Sequence, residues 1–165
     1  MRTPARKPGK YAHAKPDPYI TQEKLEKLKA NLKRLKSNQP SLIAEVKRLA
    51  ADGDFSENAA YQIAKGRLRG LNQRILDIED HLKQAIVIQP QKGSRVVRLG
   101  SVVSVEIEKK IKTYQILGST ETDPKKNIIS RNSPIGSGLM GHRLGDTVKI
   151  KLAKGEVEYK ITNIE

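Results

Sequence analysis

The chain has 165 residues and a net charge of +14, with no cysteine, no tryptophan and a single phenylalanine. This length allows one or two domains, and the scarcity of aromatic residues limits any globular core to a small aliphatic one. The lack of cysteine excludes disulfides and thiolate metal sites and fits a reducing compartment. No apolar run approaches the ~18 residues of a membrane-spanning helix. We therefore expect a cytoplasmic protein without membrane contact, whose charge favours a nucleic-acid partner or an assembly containing one.

The N-terminal residues 1–18 carry five Lys or Arg, one acid and four prolines. They offer nothing to bury, so we predict a flexible basic tail. Such a tail suits contact with DNA or RNA, and it equally suits a tail that only keeps the protein soluble.

Residues 19–89 contain two apolar heptad seams with steps of three and four residues, which predict an antiparallel coiled-coil hairpin of two helices. Thr21 is the expected N-cap of the first helix, and the second begins between Ser56 and Asn58 and ends near Ala85. With about 30 residues per arm, the hairpin would be roughly 45 Å long. The seams are Leu25, Leu28, Leu32, Leu35, Gln39, Leu42, Val46 and Leu49, and then Tyr61, Ala64, Leu68, Leu71, Ile75, Ile78, Leu82 and Ala85.

A proline interrupts the first seam. Pro40 removes a helical hydrogen bond and crowds the preceding turn, but the seam keeps its register from Leu35 through Val46. The pattern predicts a bend or local break at Pro40 and no domain boundary.

Residues 90–165 change from helical periodicity to alternation of apolar and polar residues. The alternation predicts half-buried strands around Val103, Tyr114, Ile150 and Tyr159, separated by turns. Ser133, followed by proline, predicts the start of one short helix. The fold class is therefore α+β, with a helical hairpin followed by a small sheet domain that carries one helix.

Two carboxylates, Asp54 and Glu57, lie in the turn between the two helices. One interpretation is a capping box, because an acid at the N-cap with Glu three residues later stabilises a helix start. The other is that both carboxylates share Mg²⁺, which prefers one or two carboxylates and completes its shell with other oxygen ligands. Two carboxylates do not form a complete cage, so such a site needs ligands from a partner.

Four basic residues follow the turn on the second helix without an intervening acid: Lys65, Arg67, Arg69 and Arg74. Lys65 and Arg69 share one face, and Arg67 and Arg74 share another. An ordinary solvated face explains such a pattern, but the proximity of the acidic turn favours a stripe that contacts phosphates.

These residues resemble a known family. The segment Gly53-Asp54-Phe55-Ser56-Glu57-Asn58-Ala59-Ala60-Tyr61, followed by Ala64-Lys65, is similar to the tip signature of the bacterial Gre transcript-cleavage factors. The tract Ser130-Arg131-Asn132-Ser133-Pro134-Ile135-Gly136 and the closing Gly155-Glu156-Val157-Glu158-Tyr159-Lys160-Ile161 resemble their FKBP-like C-terminal domain. The run Arg67-Leu68-Arg69 is more similar to the GreB branch, and the resemblance covers residues 19–165.

The resemblance implies a function that depends on another protein. In this family the hairpin enters the secondary channel of a backtracked RNA polymerase, and the tip stimulates the polymerase's own cleavage of the nascent RNA. Asp54 and Glu57 would then be catalytic within the polymerase and would hold a shared Mg²⁺, and Ser56, Asn58 and Tyr61 would shape the tip. Lys65, Arg67, Arg69 and Arg74 would contact the RNA 3′ segment. The factor itself would be a monomer without enzymatic activity or a cofactor of its own.

Two alternatives stay open at this point. Many family members carry an acid where this chain has Ala60, which favours a channel-binding regulator or inhibitor that does not promote cleavage. The FKBP-like fold alone suggests a prolyl isomerase, but fold does not carry function. Tyr114 and Tyr159 are the only aromatic residues in 90–165 that could line such a pocket.

Overall fold

The computed structural model describes residues 17–51, 58–89, 93–152 and 155–165. Two long helices, α1 (Gln22–Ala51) and α2 (Ala59–Gln84), pack along each other as the predicted hairpin. The predicted start of α1 is confirmed, because the Lys24 backbone N–H donates to Thr21 Oγ1 at 3.1 Å and caps the helix. The predicted start and end of α2 are also confirmed, within one residue of Asn58 and Ala85.

The interior of the hairpin is narrow and mostly aliphatic. Leu35 of α1 is buried against Leu71 and Ile75 of α2, with Leu32, Leu42 and Ile78 at the edges. One seam position is polar: Gln39 Nε2 donates to Asn72 Oδ1 at 2.8 Å. A polar pair at a seam position favours one register of the helices, because slipping would leave both amides without partners.

Pro40 lies inside α1, which is assigned as one continuous helix from Gln22 to Ala51. As predicted, no domain boundary falls at Pro40. The predicted local break in the helix is wrong. Packing of the seam on both sides of Pro40 holds the helical backbone despite the missing hydrogen bond. A bend at this position stays a prediction.

The base of the hairpin is closed by two short parallel strands, β1 (Tyr19–Ile20) and β2 (Ile86–Val87). The Ile86 N–H donates to the Pro18 carbonyl at 2.7 Å, and the Ile88 N–H donates to the Ile20 carbonyl at 2.8 Å. Pro18 is therefore bonded into the fold, and so is Asp17, whose carboxylate accepts the Ser119 N–H. We expected both residues within the flexible tail. Residues 1–16 lie outside the described residues, and the tail prediction stays open for them.

The sheet domain consists of strands β3 (Val102–Ile107), β4 (Lys110–Leu117), β5 (Ile128–Ser130), β6 (Thr147–Leu152) and β7 (Gly155–Ile164), with helix α3 (Pro134–Leu139). The strand order is β5-β4-β3-β7-β6, antiparallel except for the parallel pair β4–β5. Two turns of 3₁₀-helix, Ser119–Glu121 and Pro124–Lys126, connect β4 to β5. The alternating segments and the helix starting after Ser133 are confirmed, and β5 was not predicted.

One face of this sheet and α3 enclose the main core. Val103, Val105 and Ile116 are fully buried beside Leu139 and Ile161. Tyr114 and Tyr159 belong to the same cluster, and burial raises the pKa of both phenols. Since these two aromatic side chains fill the core, they do not line a surface pocket of the kind a prolyl isomerase needs.

The α+β fold class is thus confirmed, with a helical hairpin followed by a sheet domain. Among the described residues, no helix has the length and apolar character needed to cross a bilayer.

Candidate functional site

The predicted acidic tip falls between α1 and α2 in the sequence. Helix α1 ends at Ala51 and α2 begins at Ala59, and Asp54, Ser56 and Glu57 belong to the segment between them. Residues 52–57 are outside the described residues. The separation of the two carboxylates and their role therefore stay predictions.

Asn58 joins the ends of the two helices beside this connection. It is the N-cap of α2, and its Oδ1 accepts a hydrogen bond from the Tyr61 N–H at 3.0 Å. Its Nδ2 also donates to the Leu49 carbonyl of α1 at 3.4 Å. The predicted tip-shaping role of Asn58 thus has a geometric basis. Because Asn58 caps α2, Asp54 is not needed as the cap of this helix.

Tyr61 is half-buried in the first turn of α2. The Lys65 Nζ lies 5.6 Å from the centroid of its ring, which is within the range of a cation–π contact. This contact holds the Lys65 ammonium beside the first turn of α2.

The four predicted basic residues are all exposed, and they divide between two shallow grooves. Lys65 and Arg69 line a groove formed by residues of α2. Arg67 and Arg74 line a second groove between the helices, whose walls include Leu35 and Leu71. The predicted division into two faces agrees with this arrangement. Among the described residues, none of the four forms an ion pair.

Two glycines that we did not single out border the same surface. Gly66 lies beside both grooves and Gly70 beside the second. No atom outside their own helix lies within 4 Å of a Cβ built on either residue. Nothing within the described fold requires glycine here, and each glycine costs about 1 kcal/mol of helix propensity relative to alanine. The sequence signal that could have identified them is the presence of two glycines four residues apart inside a predicted helix.

A cation shared by the tip and a partner stays a prediction. Across the part of the chain that the structure describes, no three His, Cys, Asp or Glu side chains are grouped to hold a metal ion. Asp54 and Glu57 supply hard oxygen ligands of the kind that Mg²⁺ prefers, but two carboxylates leave most of its octahedral shell to other donors.

Comparison with known proteins identifies the family. A family model described as "Transcription elongation factor, N-terminal" matches residues 18–87. A second, "Transcription elongation factor, GreA/GreB, C-term", matches residues 91–165.

Full-length relatives agree with the two family models. A protein named transcription elongation factor GreA from Nitratiruptor sp. is 36% identical over 149 residues, covering 88% of this chain and 91% of the relative. The proteins of the same name from Sphingopyxis alaskensis and Thermomicrobium roseum are each 39% identical, covering 87% and 88% of this chain and 92% and 96% of the relatives.

Among solved structures, GreA factor homolog 1 of Thermus thermophilus is 26% identical with a TM-score of 0.42, covering 90% of this chain and 99% of that one. The two family models together span nearly all of the described fold, and the relatives match over most of both chains. This chain belongs to the GreA/GreB family of transcription elongation factors.

Proposed function

We propose that this factor binds a backtracked bacterial RNA polymerase through its secondary channel and stimulates the polymerase's own cleavage of the nascent RNA 3′ segment. The observation that carries the proposal is the position of Asp54 and Glu57 in the chain. They connect two paired helices of 30 and 26 residues, which at ~1.5 Å per residue form a rod roughly 40 Å long. Such a rod can place its end inside another protein's active centre.

In this proposal the factor completes a site and is not an enzyme alone. Asp54 and Glu57 would hold a Mg²⁺ ion together with the polymerase, and bound Mg²⁺ there would activate water and neutralise phosphate charge. Asn58 fixes the spacing of the helix ends, and Ser56 and Tyr61 shape the surface beside the carboxylates.

The basic stripe is the proposed contact for the RNA 3′ segment. Lys65, Arg67, Arg69 and Arg74 are exposed and lack acidic neighbours on α2 from Ala59 to Leu76. Gly66 and Gly70 remove side chains from the same surface, so a phosphate backbone can approach the helix closely. The GreB-like character of the Arg67-Leu68-Arg69 run belongs to this proposal, although the relatives compared above are named GreA.

The remaining parts have supporting roles. We assign residues 19–89 to the hairpin, and residues 90–165 to an FKBP-like domain that docks at the rim of the channel. Residues 1–18 add positive charge that suits DNA or RNA. The factor would act as a cytoplasmic monomer.

The test is cleavage of RNA in a stalled, backtracked polymerase complex. Asp54→Asn and Glu57→Gln each preserve size and remove one charge, so we expect them to abolish stimulated cleavage while polymerase binding is retained. Asp80→Asn is the matched control, because Asp80 is an exposed carboxylate on α2 that pairs only with Lys83 within the described structure. Normal cleavage with both tip variants would contradict the proposal.

A second candidate function is a channel-binding regulator that does not promote cleavage. Ala60 favours it, because this exposed residue of the first turn of α2 lacks the acid that many family members carry there. Under this alternative, wild-type protein binds the stalled complex but the RNA is not shortened. Ala60→Asp would then produce cleavage where the wild type produces none.

A further inference from the structure

The hairpin and the sheet domain meet at a junction formed by residues 17–21 on one side and by Gly118, Ser119, Glu121 and Arg131 on the other. The two sides are far apart in the chain: Thr21 and Glu121, which are in contact, are separated by 100 residues. We refer to this set of contacts as the clamp.

The first part of the clamp holds the start of α1. The Thr21 N–H donates to Glu121 Oε2 at 2.7 Å, and the Thr21 hydroxyl donates to Glu121 Oε1 at 2.6 Å. The same hydroxyl oxygen accepts the Lys24 N–H, so the N-cap of α1 is oriented by a carboxylate of the sheet domain. A negative charge at this position also interacts favourably with the positive end of the helix dipole.

The second part holds Asp17, whose side chain is only 4% exposed. Its Oδ2 accepts the Ser119 N–H at 3.0 Å and the Ser119 hydroxyl at 3.2 Å, and its Oδ1 accepts the Tyr19 N–H at 3.2 Å. Because Ser119 gives its proton to Asp17, it accepts from the Ser130 hydroxyl at 2.8 Å and from Asn132 Nδ2 at 3.1 Å.

Arg131 also pairs with this carboxylate. Its Nε lies 3.5 Å from Asp17 Oδ2, an ion pair rather than a hydrogen bond, and its guanidinium lies 4.2 Å from the centroid of the Tyr19 ring. Burial raises the pKa of Asp17, but the hydrogen bonds from Ser119 and Tyr19 and the charge of Arg131 outweigh it, so the pKa is lowered overall.

Backbone contact leaves little room for movement at this junction. A Cβ on Gly118 would lie 2.0 Å from the Tyr19 carbonyl oxygen and 3.6 Å from Asp17 Cγ. The first distance is far below van der Waals contact, so only glycine allows the end of β4 to approach the backbone of β1 this closely.

From these contacts we propose that the clamp fixes the direction in which the hairpin leaves the sheet domain, with Asp17 and Glu121 as positioning residues. The functional value of a fixed direction rests on the proposed function. A rod roughly 40 Å long converts a small change of angle at its base into a displacement of several ångströms at its end. Docking of the sheet domain then determines where the tip carboxylates lie.

The direction of the hairpin can be measured without polymerase. The chain has no cysteine, so Ser41→Cys in α1 and Lys112→Cys in β4 give two unique spin-label sites, both exposed. Pulsed dipolar spectroscopy should show a narrow distance distribution in the otherwise wild-type chain. The double variant Asp17→Asn with Glu121→Gln should broaden this distribution at least about twofold. In each side chain an amide nitrogen replaces one carboxylate oxygen, and this nitrogen donates hydrogen bonds but cannot accept them.

Each matched control removes an ion pair that does not join the hairpin to the sheet domain. Glu79→Gln removes the Lys36 pair within the hairpin, and Glu158→Gln removes the Lys149 pair within the sheet. Both should keep the narrow distribution. We refer to the double variant Asp17→Asn with Glu121→Gln as the clamp variant. An unchanged distance distribution in the clamp variant overturns the proposal. If the clamp variant fails to fold, Glu121→Gln alone provides the same test.

A cleavage assay separates positioning of the tip from binding of the factor to the polymerase. In the stalled-complex assay, the clamp variant should lower the maximal cleavage rate by about tenfold or more, since small misplacements of reacting groups have large effects. The factor concentration for half-maximal effect should change little. An unchanged maximal rate in a variant with a broadened distribution contradicts the positioning role. If wild-type factor stimulates no cleavage, the proposed function fails, and the spectroscopic result still decides whether the clamp exists.

Discussion

Asn58 shows how one side chain can define the end of the hairpin. Its oxygen caps α2 and its nitrogen reaches the Leu49 carbonyl of α1, so a single amide joins both helices next to the tip. Loss of a side-chain cap costs about 1 kcal/mol. We expect Asn58→Ala to lower the free energy of unfolding of the hairpin by about that amount, measured by urea denaturation followed by circular dichroism.

Asn58→Asp separates the two contacts of this amide. The carboxylate still accepts the Tyr61 N–H, but it cannot donate to Leu49. We therefore expect Asn58→Asp to be less destabilising than Asn58→Ala. Equal stability of Asn58→Ala and the wild type would show that the cap contributes nothing.

The residue scale also shows where prediction from the sequence stops. The start of α2 was predictable within a few residues, because Ser56, Asn58 and the nearby acids are all acceptable caps, and only the geometry selects Asn58. Asp17 was not predictable as a structural residue. It lies among prolines and basic residues, and its partners Ser119 and Arg131 are more than one hundred residues away.

At the scale of whole elements, α1 carries an exposed proline in its interior. Proline costs about 3 kcal/mol relative to alanine inside a helix, and part of this cost is relieved when the helix adapts. We expect Pro40→Ala to raise the free energy of unfolding of the hairpin by about 1–3 kcal/mol in urea denaturation, because it restores a backbone hydrogen bond.

The neighbouring exposed residue provides the control for this prediction. Ser41→Ala changes only side-chain propensity, so its effect should stay below about 0.5 kcal/mol. If Pro40→Ala destabilises the hairpin instead, the bend that we predict at this position is required for packing of α1 on α2.

The elements differ in how strongly the sequence determines them. Both long helices and the strands β3, β4, β6 and β7 were predictable, because each repeats its apolar period over two or more core positions. β5 has three residues and pairs in parallel with β4, and β1 and β2 have two residues each. Periodicity cannot identify such short segments, since long-range pairing alone makes them strands.

For the molecule as a whole, the lowered pKa of Asp17 makes the connection between its two parts dependent on pH. A carboxylate with a lowered pKa in the folded state stabilises the fold above its ordinary pKa, here 3.8, and this stabilisation is lost as the pH falls through the folded-state value. Hydrogen bonds to a charged group contribute about 1.5–3 kcal/mol. We expect Asp17→Asn to cost this amount at neutral pH.

The measurement is the difference in free energy of unfolding between the wild type and Asp17→Asn across pH. The difference should be constant from neutral pH down to about one unit above the ordinary carboxyl pKa, and it should shrink below 3.8. Glu158→Gln serves as the exposed control and should show little difference at any pH. A constant difference at all pH values would show that the charge of Asp17 is not what stabilises the junction.

The long sequence separation of the clamp has a consequence for the order of folding. Gln39 and Asn72 of the hairpin are 33 residues apart, whereas Asp17 and Ser119 are 102 apart. Contacts between nearby residues form at lower entropic cost, and a chain emerges from the ribosome N-terminus first. We therefore expect the two helices to pair while the residues that orient them are still being synthesised. The hairpin would exist as a freely pivoting rod until the chain has been synthesised through Arg131, so its direction would be set only after its two helices have paired.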